Sequence, residues 1–167
     1  MRYWVMAGVL TICGLQTAQP QGAKQFVQVE LVKTVKAKKA KVGDTVKARV
    51  MQNMSLADGT TLLNDAIVQG QVRSADETSL AISFDQVEVK GKPAPMKFSI
   101  RGAMMPEPAG FAGKASEGVK AESGSVIGMP TVKLEVDEGP QRASKFTTSE
   151  KELQLKQGLL LMLAVLD

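Results

Sequence analysis

Leu80-Ala81-Ile82-Ser83-Phe84-Asp85-Gln86-Val87-Glu88-Val89-Lys90-Gly91-Lys92-Pro93-Ala94-Pro95-Met96-Lys97-Phe98-Ser99-Ile100-Arg101 is the stretch on which the fold turns. Leu80, Ile82 and Phe84 stand two residues apart, and the apolar run continues towards Val87 and Val89. Successive side chains of a strand point to opposite faces, so this spacing predicts a half-buried β-strand. Lys90-Gly91-Lys92 then suits a tight reversal that needs positive φ. Beyond it Met96, Phe98 and Ile100 alternate with Lys97, Ser99 and Arg101. The whole stretch reads as a β-hairpin.

Three more alternating runs precede it. Val27, Val29, Leu31 and Val35 share one face, with Gln28, Glu30 and Thr34 opposed; after the Gly43-Asp44 turn, Val46, Ala48 and Val50 face away from Lys47 and Arg49. Ala66 to Arg73 carries Val68, Gly70 and Val72 on one side, and Asp58-Gly59 supplies a turn before it. Downstream, Ala103 to Pro130 loses the pattern: five glycines and three prolines lie among Ala, Ser, Glu and Lys, too little apolar surface to offset the entropy of ordering. A long Gly/Pro-rich loop or insertion is expected there, either a linker or a binding element. Thr131 to Val136 alternates again, Asp137 to Glu152 is polar, and the chain closes on the eight apolar residues Leu159 to Leu166. Eight residues are too few to span a membrane as a helix, and a continuous apolar run is how a strand buried on both faces reads. It is expected to close a sheet or barrel, with partner docking at an exposed edge as the alternative. No long helical period is present. The expected fold is all-β: a small barrel or sandwich of about 6–8 mostly antiparallel strands.

The first residues carry a different signal. Arg2 precedes an apolar run from Trp4 to Leu15, about a dozen residues, which is the length of a signal-peptide core rather than a membrane span. Cleavage after Ala18 would leave a flexible N-terminus over 19–25 and one β domain over 26–167. Bulky Ile12 before Cys13 disfavours lipidation of that cysteine. Of 167 residues, removal of 18 leaves 149, enough for one domain with a real core. Arg2 is the only charge lost, so 21 basic residues against 17 acidic become 20 against 17. Tyr3, Trp4 and Cys13 would go with the leader, leaving five Phe as the aromatics and no thiol.

These counts shape the function classes. A charge of +3 without Trp or Tyr gives little basis for nucleic-acid binding. The chain has no histidine, which removes Ser-His-Asp and Cys-His catalysis and His-ligated zinc. The carboxylate pairs Asp76-Glu77 and Asp137-Glu138 are adjacent residues, which a strand would aim at opposite faces. Ser116 to Lys120 and Ser144-Lys145 fall in segments expected to be mobile. No calcium loop or phosphate-cradling glycine motif occurs, so no cofactor and no catalytic residue is assigned. One charge concentration stands out: Lys36, Lys38, Lys39 and Lys41, with Lys33 beside them. Its functional reading is contact with acidic phospholipid, lipopolysaccharide or another polyanion; its plain reading is a solubilising connector between the first two strands.

Leu56-Ala57-Asp58-Gly59-Thr60 to Val68-Gln69-Gly70-Gln71-Val72, followed by Leu80-Ala81-Ile82-Ser83-Phe84-Asp85-Gln86-Val87, resembles small exported proteins of unknown function from Acidobacteria-like bacteria. It is more distantly similar to the C-terminal β-barrel of TrbI-like conjugation and type IV secretion proteins. The likeness covers residues 43 to 101 and the last strand, with Ser125 to Pro130 fitting the first group. What the resemblance implies is a β-barrel and an envelope location. The expectation is therefore a non-enzymatic protein exported to the periplasm or envelope of a Gram-negative-type bacterium. It would bind another envelope protein or polymer, with membrane contact at most peripheral. An oligomeric component of a secretion channel or pilus-like assembly is the second reading, and a hydrolase the third.

Overall fold

A computed structural model describes residues 25–106, 124–136 and 142–166, so the leader expected over 1–18 lies outside the described residues. The alternating runs form strands. Val27, Val29 and Leu31 drive β1 (Phe26–Leu31), and β2 (Val35–Lys36) follows after a bend. β3 (Thr45–Val50) alternates strictly between exposed and buried, and β4 (Met54–Ser55) and β5 (Thr61–Leu62) make a short ladder. β6 (Ile67–Asp76), β7 (Ser79–Val89) and β8 (Lys92–Met104) are the long strands. β9 (Gly124–Val126), β10 (Met129–Val136), β11 (Ser144–Thr148), β12 (Gln154–Leu155) and β13 (Leu160–Leu166) complete the chain.

β6, β3, β1, β13, β8 and β7 pair in that order, each antiparallel to the next, and β7 returns to β6. The all-β expectation resolves to a closed six-stranded barrel, so no sheet edge is left around the ring. The hairpin forms as expected. Val89 pairs with Lys92, and both turn residues, Lys90 (φ 51) and Gly91 (φ 76), take the left-handed backbone of a two-residue hairpin loop. The interior is packed with Val27, Val29, Leu31, Val46, Ala48, Val50, Val68, Val72, Ile82, Phe84, Phe98, Ile100, Leu161 and Leu163, all buried.

β7 uses its outer edge twice. Phe84 to Val89 pair with β8, whereas Ser79 to Ile82 pair with β11. β11, β10 and β9 thus form a side layer wedged into the fork between β7 and β8, and it returns to β8 through a parallel bridge from Ile127 to Met104. Leu80 faces Phe146 and Phe146 faces Leu134 across these ladders, extending the buried surface out of the barrel.

Both barrel ends are covered. Where β1 ends and β13 begins, β2 pairs with β12 and sets Ala37, Leu153 and Leu155 into the core; where β3 ends and β6 begins, the β4–β5 ladder buries Leu56 and Leu62. Ordered strands extend into the segment expected to be a loop from both sides, since β8 runs to Met104 and β9 starts at Gly124; residues 107–123 lie outside the described residues. The polar stretch after Asp137 holds a strand, β11, because Ala143, Ser144 and Phe146 are buried against β7 and β8. The final strand is not an edge: β13 is paired on one side to β1 and on the other to β8, which removes edge docking there. Its inner face is buried, and Leu160 and Met162 on the outer face are half-buried rather than enclosed.

Candidate functional site

The lysine cluster occupies the barrel end formed by β2 and β12. Pairing of Val35 with Leu155 and the bond from the Ala37 amide to the Leu153 carbonyl fix the chain after β1. The Lys36 carbonyl then accepts the amides of Lys39 and Ala40, coiling Lys36 to Ala40 into a tight turn. Ala37 is buried in that turn, and its neighbours Lys36, Lys38 and Lys39 are left exposed. A second turn follows. The Asp44 amide donates to the Lys41 carbonyl (3.0 Å), Gly43 takes φ 90, and Asp44 Oδ2 accepts the Lys41 amide (2.9 Å). A positive φ at the third turn position is the type II signature and calls for glycine. The Gly43 amide donates to the Val72 carbonyl, so the turn is fastened to β6.

Lys33, Lys36 and Lys39 line one depression of about 400 Å³, with Val35, Ala40, Val46 and Val72 as its apolar wall. Lys38 leans away, 3.3 Å from Glu77, in a pair that is 60% and 65% exposed. Such a pair adds little stability. Lys33, Lys36, Lys39 and Lys41 make no ion pair among the described residues. Asp44 lines the same depression, with its Oδ2 already bonded to the Lys41 backbone.

The other polar features serve the fold. Asp76 accepts hydrogen bonds from the Ser79 hydroxyl and the Thr78 amide and hydroxyl, which hold its carboxyl below the usual carboxylate range, the Ser79 bond being the largest cause. Glu77 turns to Lys38, so the Asp76-Glu77 pair is divided between two tasks. Asp137-Glu138 and Ser116 to Lys120 lie outside the described residues. Ser144-Lys145 is not in a mobile segment: β11 buries Ser144, whose hydroxyl donates to the Ile100 carbonyl (3.2 Å), and points Lys145 to the opposite, exposed face. The two cannot act on one substrate. At the far end of the barrel a depression of about 520 Å³ opens between Leu56–Asp58 and Asp85, Met96, Lys97 and Leu166. Asp58 holds the Thr60 amide and hydroxyl, and Asp85 accepts from the Arg73 guanidinium at 3.2 Å, so Asp58 braces the turn and Asp85 is spent on an ion pair. Gln25, at the boundary of the expected N-terminal tail, accepts the Ala57 amide through Oε1 and lines this depression.

Sequence reasoning missed Val42. It stands between Lys41 and Gly43 at the second position of the type II turn and is 72% exposed, the most exposed large hydrophobic side chain among the described residues. The available signal was its setting, a lone apolar residue before Gly-Asp inside a lysine run. Among the described residues no cluster of three or more His, Cys, Asp or Glu is placed to hold a metal, and no helix is long and apolar enough to cross a membrane. No protein-family model, curated protein or solved structure matches the chain.

Proposed function

We propose that the protein is a non-enzymatic, exported cell-envelope binding domain that contacts a polyanionic envelope surface through the lysine-bearing end of its barrel. The observation that carries this is the local geometry. Three of the five lysines line one depression, and four of the five make no ion pair among the described residues. Unpaired like charges held on a short, fastened connector repel one another, a cost that an anionic partner removes. The apolar leader ahead of residue 19, and the resemblance of residues 43 to 101 to small exported proteins and TrbI-like barrels, support the envelope location.

The test is binding of the full chain to polyphosphate and to anionic phospholipid vesicles, beside the variant K36E/K38E/K39E. The variant should lose binding to polyphosphate, bind anionic vesicles more weakly, and keep its unfolding free energy within about 0.5 kcal/mol, because these side chains are solvated. Undiminished polyphosphate binding by the variant, or no binding by the native chain to either probe, would overturn the proposal. A large loss of stability would instead assign the lysines a structural role.

A further inference from the structure

We infer that the lysine-bearing end is a phospholipid-docking tip, in which Val42 enters the interface of an anionic membrane while the surrounding lysines hold the headgroups. This rests on the reading of that end as a polyanion contact, and it names which polyanion.

The argument starts from what each residue gains. A lysine near an anionic lipid surface contributes about 1 kcal/mol, and it does the same beside any dense polyanion. Lysines alone therefore do not distinguish a membrane from a soluble polymer. Val42 does. It is 72% exposed at the corner of a turn whose other residues are Lys41, Gly43 and Asp44, with Lys36, Lys38 and Lys39 a few residues upstream. In water, or against a hydrated polymer, that apolar side chain gains nothing from its position. At a bilayer it leaves water for the acyl boundary, as the apolar residues of interfacial segments do.

The turn is also built to present it. Four backbone-directed bonds brace Lys41 to Asp44: the Asp44 amide to the Lys41 carbonyl, the Lys41 amide to Asp44 Oδ2, the Gly43 amide to the Val72 carbonyl, and the Val72 amide to the Asp44 carbonyl. A loose loop could fold a valine back onto the barrel. This one keeps Val42 outward at no further entropic cost on docking. Beside the turn, Lys33, Lys36 and Lys39 line the 400 Å³ depression together with Asp44, whose Oδ2 is bonded to the Lys41 amide, so basic residues outnumber the single carboxylate there. The result is peripheral attachment without a membrane span.

The experiment uses the full chain. Because residues 4–15 are apolar and could bind vesicles themselves, the readout is local. In a Cys13→Ser background, an environment-sensitive fluorophore is attached at V42C or, as a control at the other barrel end, at D58C. With vesicles of neutral phosphatidylcholine containing anionic phosphatidylglycerol, the label at 42 should brighten and shift to the blue, whereas the label at 58 should not. Pure phosphatidylcholine should leave both unchanged. Reversing Lys36, Lys38 and Lys39 to Glu should lower the response at 42 by more than about a hundredfold in apparent partitioning, and Val42→Ser should lower vesicle partitioning in a Cys13→Ser chain roughly threefold to tenfold. If vesicles bind through the lysines but the label at 42 stays in water and Val42→Ser changes nothing, the insertion is refuted and the polyanion reading survives. If charge reversal changes neither vesicle nor polyphosphate binding, both fall.

Discussion

Gly70 shows how tightly single residues are specified here. It sits in β6 opposite Phe84, next to a bulge between Gln69 and Gly70, and a Cβ there would lie 2.2 Å from the Ser83 carbonyl oxygen and 2.8 Å from the Phe84 ring. The missing side chain is the space the Phe84 ring occupies across the strand pair, so the bulky and the empty position are one packing decision. Gly70→Ala should cost about 3 kcal/mol, at the upper end for overpacking because two of the three atoms met are Ser83 backbone and cannot rotate aside; urea unfolding measures it. Asp76 makes a different kind of prediction. Its folded carboxyl is held below the usual range by Ser79 and Thr78, so the native state binds that proton more weakly than the unfolded chain. The stabilisation is complete above the unfolded carboxylate range and fades as pH falls through the folded value. Asp76→Asn should therefore be less stable than the native protein at pH 7, with the gap closing below about pH 4. Urea midpoints at the two pH values test the sign; a gap that widens in acid would show that Asp76 acts otherwise.

Among the elements, the side layer β9–β10–β11 is the part that alternation alone revealed least. The hairpin of β7 and β8, and strands β3 and β6, were legible because Val, Ile, Leu and Phe recur every second residue against charged neighbours, and because Gly91 and Gly43 mark their turns. β11 has only Phe146 as a large apolar residue, and its other buried position is Ser144, with Ala143 buried just before it, so its burial is created by β7 and β8 rather than announced by its composition. Two-residue strands such as β2, β4, β5 and β12 are too short to show a period at all. The lysines were legible as a cluster, but their gathering around one depression depends on the Lys36 to Ala40 turn, which no periodicity encodes. The side layer is joined to the barrel by a four-residue pairing with β7, one bridge to β8, the Leu80–Phe146–Leu134 contact, and the bonds from the Ser144 hydroxyl to the Ile100 carbonyl and from the Thr148 amide to the Thr78 carbonyl. Phe146→Ala should then cost about 3–5 kcal/mol. Its amide-exchange signature should be selective: β9 to β11 lose protection before β1, β3 and β13, because local opening follows the element with the fewest ties. Uniform loss across all strands would mean that barrel and side layer open as one unit.

For the molecule as a whole, closure of the barrel brings the two ends of the described chain side by side. Phe26 pairs with Ala164 and Glu30 with Leu160, so the first and last strands form an antiparallel pair whose connection, if one existed, would be a hairpin loop. The Val165 amide already donates to the Gln25 carbonyl, which places residue 25 within reach of residue 166. Pairing of β1 with β13 and of β8 with β13 can form only after most of the chain has been brought together, and such non-local closure puts refolding in the millisecond-to-second range. Joining 166 to 25 through a Gly/Ser linker of about four residues, and opening the chain between Lys90 and Gly91, turns that distant pair into a local one. The new termini fall at an exposed reversal, where breaks are best tolerated. This permutant should show the native circular-dichroism spectrum and refold at a rate close to that of the original chain, since a hairpin replaces the β1–β13 closure while the pairing of β7 with β8 becomes the new closure between first and last strands. Its unfolding midpoint should drop, because the Lys90-Gly91 turn no longer ties β7 to β8. A permutant that refolds much faster would show that closure of β1 on β13 in particular is the slow step, and one that refolds much more slowly would place that step in the pairing of β7 with β8 and β11.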